Sequence, residues 1–230
     1  MTFTTEQAVL DRTARRYRCC GRFTRHYVAS KLKRDPVHLV LLALGRREGG
    51  FGTVVDLGCG RGQIAVALLE AGVAQSAIGV DCSGWSLKNA RQAATGLKFT
   101  GELANLAVDP IVPPCDTVLL IDILYMLGTS AAMALLRAAA AAAQERILIR
   151  TLDPNRGMRS LLTLATERLG RQFWPHAGAK VDPIPVAALL AALRDAGFRP
   201  DAPVPCWQGT PFANVLIAAR RLTGAVSASP

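Results

Sequence analysis

Acidic residues are scarce in this chain: 17 Asp plus Glu stand against 27 Lys plus Arg over 230 residues, a formal net charge of +10. Charge of either sign is thin, at 19%, while 50% of the residues are hydrophobic. That balance excludes a disordered chain. No uncharged apolar run reaches the roughly 18 residues that a membrane-spanning helix needs. The Ala-rich run from Ser130 to Ala143 is too short and is broken by Arg137. The first residues, MTFTTEQAVLDRTARR, have no apolar core behind a basic start, so a signal peptide is not expected. The six cysteines lack metal-ligand spacing: Cys19 and Cys20 are adjacent, and no His/Cys cluster accompanies them. No metal site is expected, and the thiols are expected to be reduced in a cytoplasmic protein. The length suits one domain with an appendage, able to bury its core without disulfide or metal staples.

What basic charge there is collects at the start. Up to Pro36, nine Lys and Arg face three acids, an excess of six. The same stretch holds Tyr17, Phe23 and Tyr27, expected to be exposed. Residues 1–35 read as a basic helical extension or lid, and 36–222 as the main domain, with a substrate-side insert at about 153–183. The small, polar tail at 223–230 reads as frayed. Asp35-Pro36 predicts a helix start. Beyond it, apolar strand-like runs (TVVDL, AIGVD, LKFTGEL, DTVLLID, RILIRTL, ANVLIAARR) alternate with helical patterns. This predicts an α/β fold, a mostly parallel sheet with helices on both faces.

Between the first strand and the first following helix stands Asp56-Leu57-Gly58-Cys59-Gly60-Arg61-Gly62. A dinucleotide fingerprint needs its third Gly where this chain has Gln63. Asp56, just before the turn, would repel a pyrophosphate but suits a ligand carrying an ammonium group. Asp81 closes the second strand, and a carboxylate there can accept both hydrogen bonds of a ribose diol. The plain structural readings are a tight strand-to-helix turn for the glycines, a helix cap for Asp81, a solvated acid for Glu102 and a small filler for Cys59.

From Asp35 to Leu152 the sequence resembles the class I S-adenosylmethionine-dependent methyltransferases, whose first motif has this form. The resemblance implies a doubly wound, seven-stranded, mostly parallel sheet with the last strand antiparallel and an N-terminal helical lid. It implies S-adenosyl-L-methionine as cofactor, held by Asp56, Gly58, Cys59, Gly60, Asp81, Cys82, Trp85, Glu102, Leu103 and Asp122. Glu102 resembles the group that meets the adenine amine, with Leu103, Ala104 and Trp85 along the ring. Tyr27 and Lys31, one helical turn apart, are expected to cap the cofactor, Lys31 reaching its carboxylate.

The fourth strand ends in IDILYML, where the family places residues near the acceptor. Tyr125, Asp122 and His176 are therefore the catalytic candidates, and Tyr125, Asp153, Trp174 and His26 the substrate-side ones. A core aromatic for Tyr125, a surface histidine for His26 and an ordinary apolar loop for Trp174 and His176 are the alternatives. His38, in an apolar helix, reads as structural. IDILYML departs from the [DNS]PP[YFW] run that resembles base-methylating enzymes, which disfavours nucleic acid as the partner. The expected activity is methyl transfer to O, N or C of a small, partly apolar acceptor. YVASKLKRDPVHLVLLALG also resembles a bacterial branch from fatty-acid-like and aryl-polyene-type biosynthetic settings. That resemblance implies an acceptor tethered to an acidic carrier protein. An RNA or DNA methyltransferase using the basic N-terminus, and a non-catalytic cofactor-binding platform, are the competing readings.

Overall fold

The computed structural model describes residues 2–154, 182–208 and 213–222. Three helices come first: α1 (Thr2–Arg16), α2 (Arg22–Arg34) and α3 (Val37–Arg47), with a 3-10 turn at Tyr17–Cys19. Then strands and helices alternate through β1 (Thr53–Leu57), α4 (Gln63–Glu70), β2 (Ser76–Asp81), α5 (Gly84–Ala93) and β3 (Phe99–Leu103). The second half holds β4 (Cys115–Ile121), α6 (Thr129–Ala142) and β5 (Ala143–Leu152). It closes with α7 (Val186–Asp195), β6 (Phe198–Pro200), β7 (Val204–Pro205) and β8 (Asn214–Arg221). The expected helix starts are present: the Ser83 hydroxyl accepts the Ser86 N–H at α5, and Asp35 accepts the Val37 N–H at α3.

The sheet runs β3-β2-β1-β4-β5-β8-β6, with β7 also on β8. β1 to β5 are parallel, and β8 runs against β5, β6 and β7. Seven strands were expected and eight are present. The two strands absent from the six apolar runs, β6 and β7, both lie in FRPDAPVP, where prolines break the alternation that marks a strand but are tolerated in short edge pairings. Order reverses beside β1, so the carboxyl ends of β1 and β4 form the switch point where open α/β sheets bind ligands.

Period-two alternation divides the core. Val54, Leu119, Ile121 and Leu148 pack on one face with α1 to α4, and Val55, Leu57, Val118, Leu120, Ile147 and Ile149 on the other with α6 and α7. Val9, Leu10, Tyr17, Val28 and Leu32 belong to the first cluster, so the N-terminal helices share its core. Arg12 and Arg16 bind Glu70 on α4, and buried Glu6 pairs with Arg46 on α3. Tyr17, expected to be exposed, is fully buried. Its hydroxyl donates to the carbonyl of Arg61, which is why a tyrosine can sit there.

Candidate functional site

The turn after β1 is shaped by close approach. Gly58 has φ +74°, and a Cβ there would come within 2.8 Å of the Ile123 side chain. Gly60 has φ +55° and nothing within 4 Å of its Cβ position, so the turn presents bare backbone to the crevice. The Gly60 N–H donates to Asp81 Oδ2 at 2.8 Å, and the Ser83 N–H donates to Asp81 Oδ1 at 2.8 Å. The carboxylate is thus oriented through both oxygens, and each keeps a lone pair for a diol. Asp56 is 2% exposed, and its Oδ2 is buried without a partner. Burial, reinforced by Asp81, pushes its pKa up to about 7. A buried carboxylate without a cation is costly, and the orphaned oxygen fits the ammonium that the sequence pattern suggests.

Along the adjoining rim, Leu103 stands opposite Asp81 and is 65% exposed, and Trp85 is 53% exposed. Both offer free apolar surface for an adenine ring. Glu102 is exposed and stands opposite Val80, one position earlier, so strand alternation turns it to the other face from Leu103. Cys82 is exposed beside Asp81, whereas Cys59 is buried, its Sγ against the backbone of Gly79.

Above the turn lies α2. Its Phe23 and Tyr27 rings stack at 6.4 Å, and both lie against the guanidinium of Arg61. Arg61 was not singled out from the sequence. The available signal was a long cation inside a turn otherwise built of small residues. Further along α2, Lys31 stands 3.8 Å from Asp35.

At the tips of β4 and β5 lies a second group that sequence reasoning only half found. Arg150, 3% exposed, donates to Asp122 Oδ2 at 2.7 Å and to Asp35 Oδ2 at 2.9 Å. Its carbonyl accepts the Asp122 N–H, holding Asp122 at φ +58°, unusual for a residue with a side chain. Asp122 is therefore present where expected, but gripped through backbone and side chain together. Burial pushes its carboxyl above the usual range against the opposing pull of Arg150. At Asp35 the outcome reverses: Arg150, His38 and Lys31 together outweigh burial, so its carboxyl falls below the usual range. Tyr125 is buried and hydrogen-bonded through its side chain to Asp122. Arg150 was not singled out from the sequence; the available signal was a charge inside RILIRTL, because a cation in a buried strand needs a partner.

Asp153 follows β5 and is 9% exposed, with its N–H donated to Ala213. His26 is exposed on α2, and His38 is buried with Nδ1 3.2 Å from the Asp35 carbonyl. Trp174 and His176 lie outside the described residues, as does most of the expected insert. No group of three or more His, Cys, Asp or Glu fit for a metal occurs among the described residues. None of the described helices is long and apolar enough to cross a membrane.

Residues 54–146 match a family model described as a methyltransferase domain. The match takes in the glycine turn, Asp56 and Asp81, and strands β1 to β4. No curated protein matches its sequence. Among solved structures, the chain is similar to magnesium protoporphyrin IX methyltransferase (ChlM) from Synechocystis PCC 6803 with bound SAH. The TM-score is 0.66 and the identity 22%, over 92% of this chain and 94% of that one. It is also similar to the pyocyanin biosynthetic protein PhzM (TM-score 0.64, 21% identity, 89% of this chain) and to an O-methyltransferase family protein from Burkholderia thailandensis (0.63, 19%, 87%). The chain spans 60% of the length of each of these two. At such identities the likeness is one of fold.

Proposed function

We propose that this protein is a methyltransferase that binds S-adenosyl-L-methionine and passes its methyl group to O, N or C of a small or carrier-tethered, partly apolar acceptor. The observation that carries this is the pair of carboxylates at one glycine turn. Asp56 is buried with an orphaned oxygen, and Asp81 is preset by two backbone N–H groups. In this reading Asp56 meets the ammonium, Asp81 the ribose diol, and Trp85 and Leu103 the adenine ring; Glu102, turned to the other face of its strand, stands outside this set. Gly58 and Gly60 give the backbone room, with Cys59 and Cys82 beside them. Tyr27 and Lys31 cap the site from α2, Lys31 facing the ligand's carboxylate. That the three structures named above include a protoporphyrin methyltransferase and a pyocyanin biosynthetic protein supports a small acceptor.

When bound, the cofactor supplies a methyl group already activated on a sulfonium, so in-line placement and exclusion of water provide most of the acceleration. The protein's part is to hold and to seal. Asp122, with one oxygen on Arg150 and the other buried without a partner, is suited to take a proton from a hydroxyl or amine acceptor. Tyr125 orients it by hydrogen bond. Asp153, His26, Trp174 and His176 complete the proposed acceptor side. A carrier-tethered acceptor is supported by exposed Arg15, Arg18, Arg22, Arg25, Lys33 and Arg34. None of these forms an ion pair among the described residues, so an acidic partner can meet them. We place the enzyme in the cytoplasm, with 1–35 as lid and 36–222 as catalytic domain.

A thermal-shift and calorimetric comparison tests the reading. S-adenosylmethionine and S-adenosylhomocysteine should bind and raise Tm, and NAD should do neither. Binding of NAD with indifference to both sulfur nucleosides would overturn it.

A further inference from the structure

Three residues of the N-terminal region converge on one residue of the glycine turn. The Tyr17 hydroxyl donates to the Arg61 carbonyl at 2.7 Å. The Tyr27 ring centroid lies 4.1 Å from the Arg61 guanidinium carbon and the Phe23 centroid 5.5 Å. From the other side, Trp85 at the start of α5 approaches to 4.9 Å. Arg61 is only 3% exposed, although Phe23 and Trp85 are 66% and 53% exposed. The rings are the outer wall of a cage, and the cation is its filling.

The choice of rings has an electrostatic reason. The N-terminal helices carry an excess of positive charge, so like charge opposes laying them over an arginine. The faces of aromatic rings are negative, and a guanidinium stacks on them without needing a carboxylate. Acids would also serve, but the acids of this turn, Asp56 and Asp81, are needed for the ligand. The contact therefore holds the roof to the turn while leaving both carboxylates free.

The position of Arg61 in the chain gives the contact its consequence. The preceding residue, Gly60, donates its N–H to Asp81. One short turn thus ties the ribose carboxylate to backbone on one side and α2 to the domain on the other. α2 also carries Lys31, and its far end is anchored where Asp35 meets Arg150. With both ends pinned, Lys31 is held over the crevice and does not swing with a loose helix.

We propose that Arg61 is a positioning residue of the cofactor site: stacked between Tyr27, Phe23 and Trp85, it pins α2 over the glycine turn and sets how long the cofactor stays bound. It acts through Tyr27, Lys31 and Asp81 and does not itself touch the ligand. The proposal rests on the reading of the site as one for S-adenosylmethionine.

The test uses the full chain, S-adenosylhomocysteine as probe and two variants, Arg61→Ala and Arg61→Met. Stopped-flow fluorescence of Trp85 gives association and dissociation rates, and hydrogen exchange follows the amides of α2. In both variants dissociation should quicken on the order of tenfold, the loss of a desolvated cation–π cluster. Association should change little, and α2 should exchange faster with ligand bound. Methionine fills most of the volume without the charge, so wild-type dissociation in Arg61→Met would show that packing alone holds the roof and would overturn the proposal. Faster dissociation with unchanged exchange in α2 would overturn it too. Should Arg61→Ala fail to fold, Phe23→Leu leaves the turn intact and must reproduce the faster dissociation; a wild-type rate there counts against Arg61. If the wild-type protein does not bind S-adenosylhomocysteine, the proposed function itself fails. If it binds and the variants release it at the wild-type rate, only the role of Arg61 fails.

Discussion

Asp56 makes cofactor binding pH-dependent in a direction that can be worked out. Burial, with Asp81 nearby, raises its carboxyl from an ordinary 3.8 to about 7 in the free protein. A ligand bearing an ammonium binds the carboxylate form. Below pH 7 the site must first lose a proton, so affinity falls by a factor of one plus ten to the power of the pKa minus the pH. Between pH 7.0 and 5.5 that amounts to about fifteenfold, roughly 1.6 kcal/mol. The ligand's own α-amino group stays protonated across this window, so it contributes no slope. Isothermal titration in buffers of different ionisation enthalpy should find proton release on binding, rising as pH falls toward 5.5. S-adenosylhomocysteine lacks the sulfonium charge but keeps the ammonium, and should show the same slope. Affinity that is flat from pH 5.5 to 7.0, with no proton released, would refute the argument.

The same shift acts on stability with the opposite requirement. The folded-state pKa of Asp56 lies above its unfolded value, so folding favours the neutral acid. Stability from this group is complete below the unfolded value and is lost as pH rises toward 7. The full difference, 3.8 to about 7, is worth about 4 kcal/mol at most. Asp56→Asn removes the penalty. At pH 8 it should raise Tm by several degrees, at about 2–4 °C per kcal/mol for a chain of this size, while abolishing tight cofactor binding and its pH slope. A site built to accept a cation is a strained site without one. A variant that is less stable than wild type at pH 8 would contradict this.

Three further outcomes follow from the geometry. Asp81→Ala removes a charged acceptor for two ligand hydroxyls and frees the Gly60 N–H, so S-adenosylhomocysteine should bind on the order of 100-fold more weakly by calorimetry. Lys31→Ala should weaken binding by about tenfold, and the loss should shrink at high salt because the amine is partly exposed; unchanged affinity would remove Lys31 from the site. Arg150→Met leaves Asp35 and Asp122 buried around a missing cation and should cost about 3–5 kcal/mol in denaturant unfolding, with part of the loss recovered when Asp122→Asn is added.

The sequence made the framework legible because its signals are local. Strand alternation, the glycine turn and the acids at the ends of β1 and β2 each lie within a few residues of the backbone that explains them. The prolines of FRPDAPVP hid two short strands, since proline is itself a signal against a strand. The arginines were hidden for another reason. Arg150 meets partners 115 and 28 positions away, and Arg61 is enclosed by rings contributed from α2 and α5. Nothing near either residue announces its partner. Their burial divides the excess of positive charge into two kinds. Arg15, Arg18, Arg22, Arg25, Lys33 and Arg34 are exposed and form no ion pair among the described residues, and the buried pair fastens those helices to the domain. Arg61 does so through aromatic faces, where the nearby acids are reserved for ligand. Arg150 does so through Asp35 and Asp122, where one carboxylate oxygen of Asp122 stays without a hydrogen-bond partner. A net charge read only as an affinity for anions therefore overlooks half of its use: two of these positive charges hold the roof of the site in place.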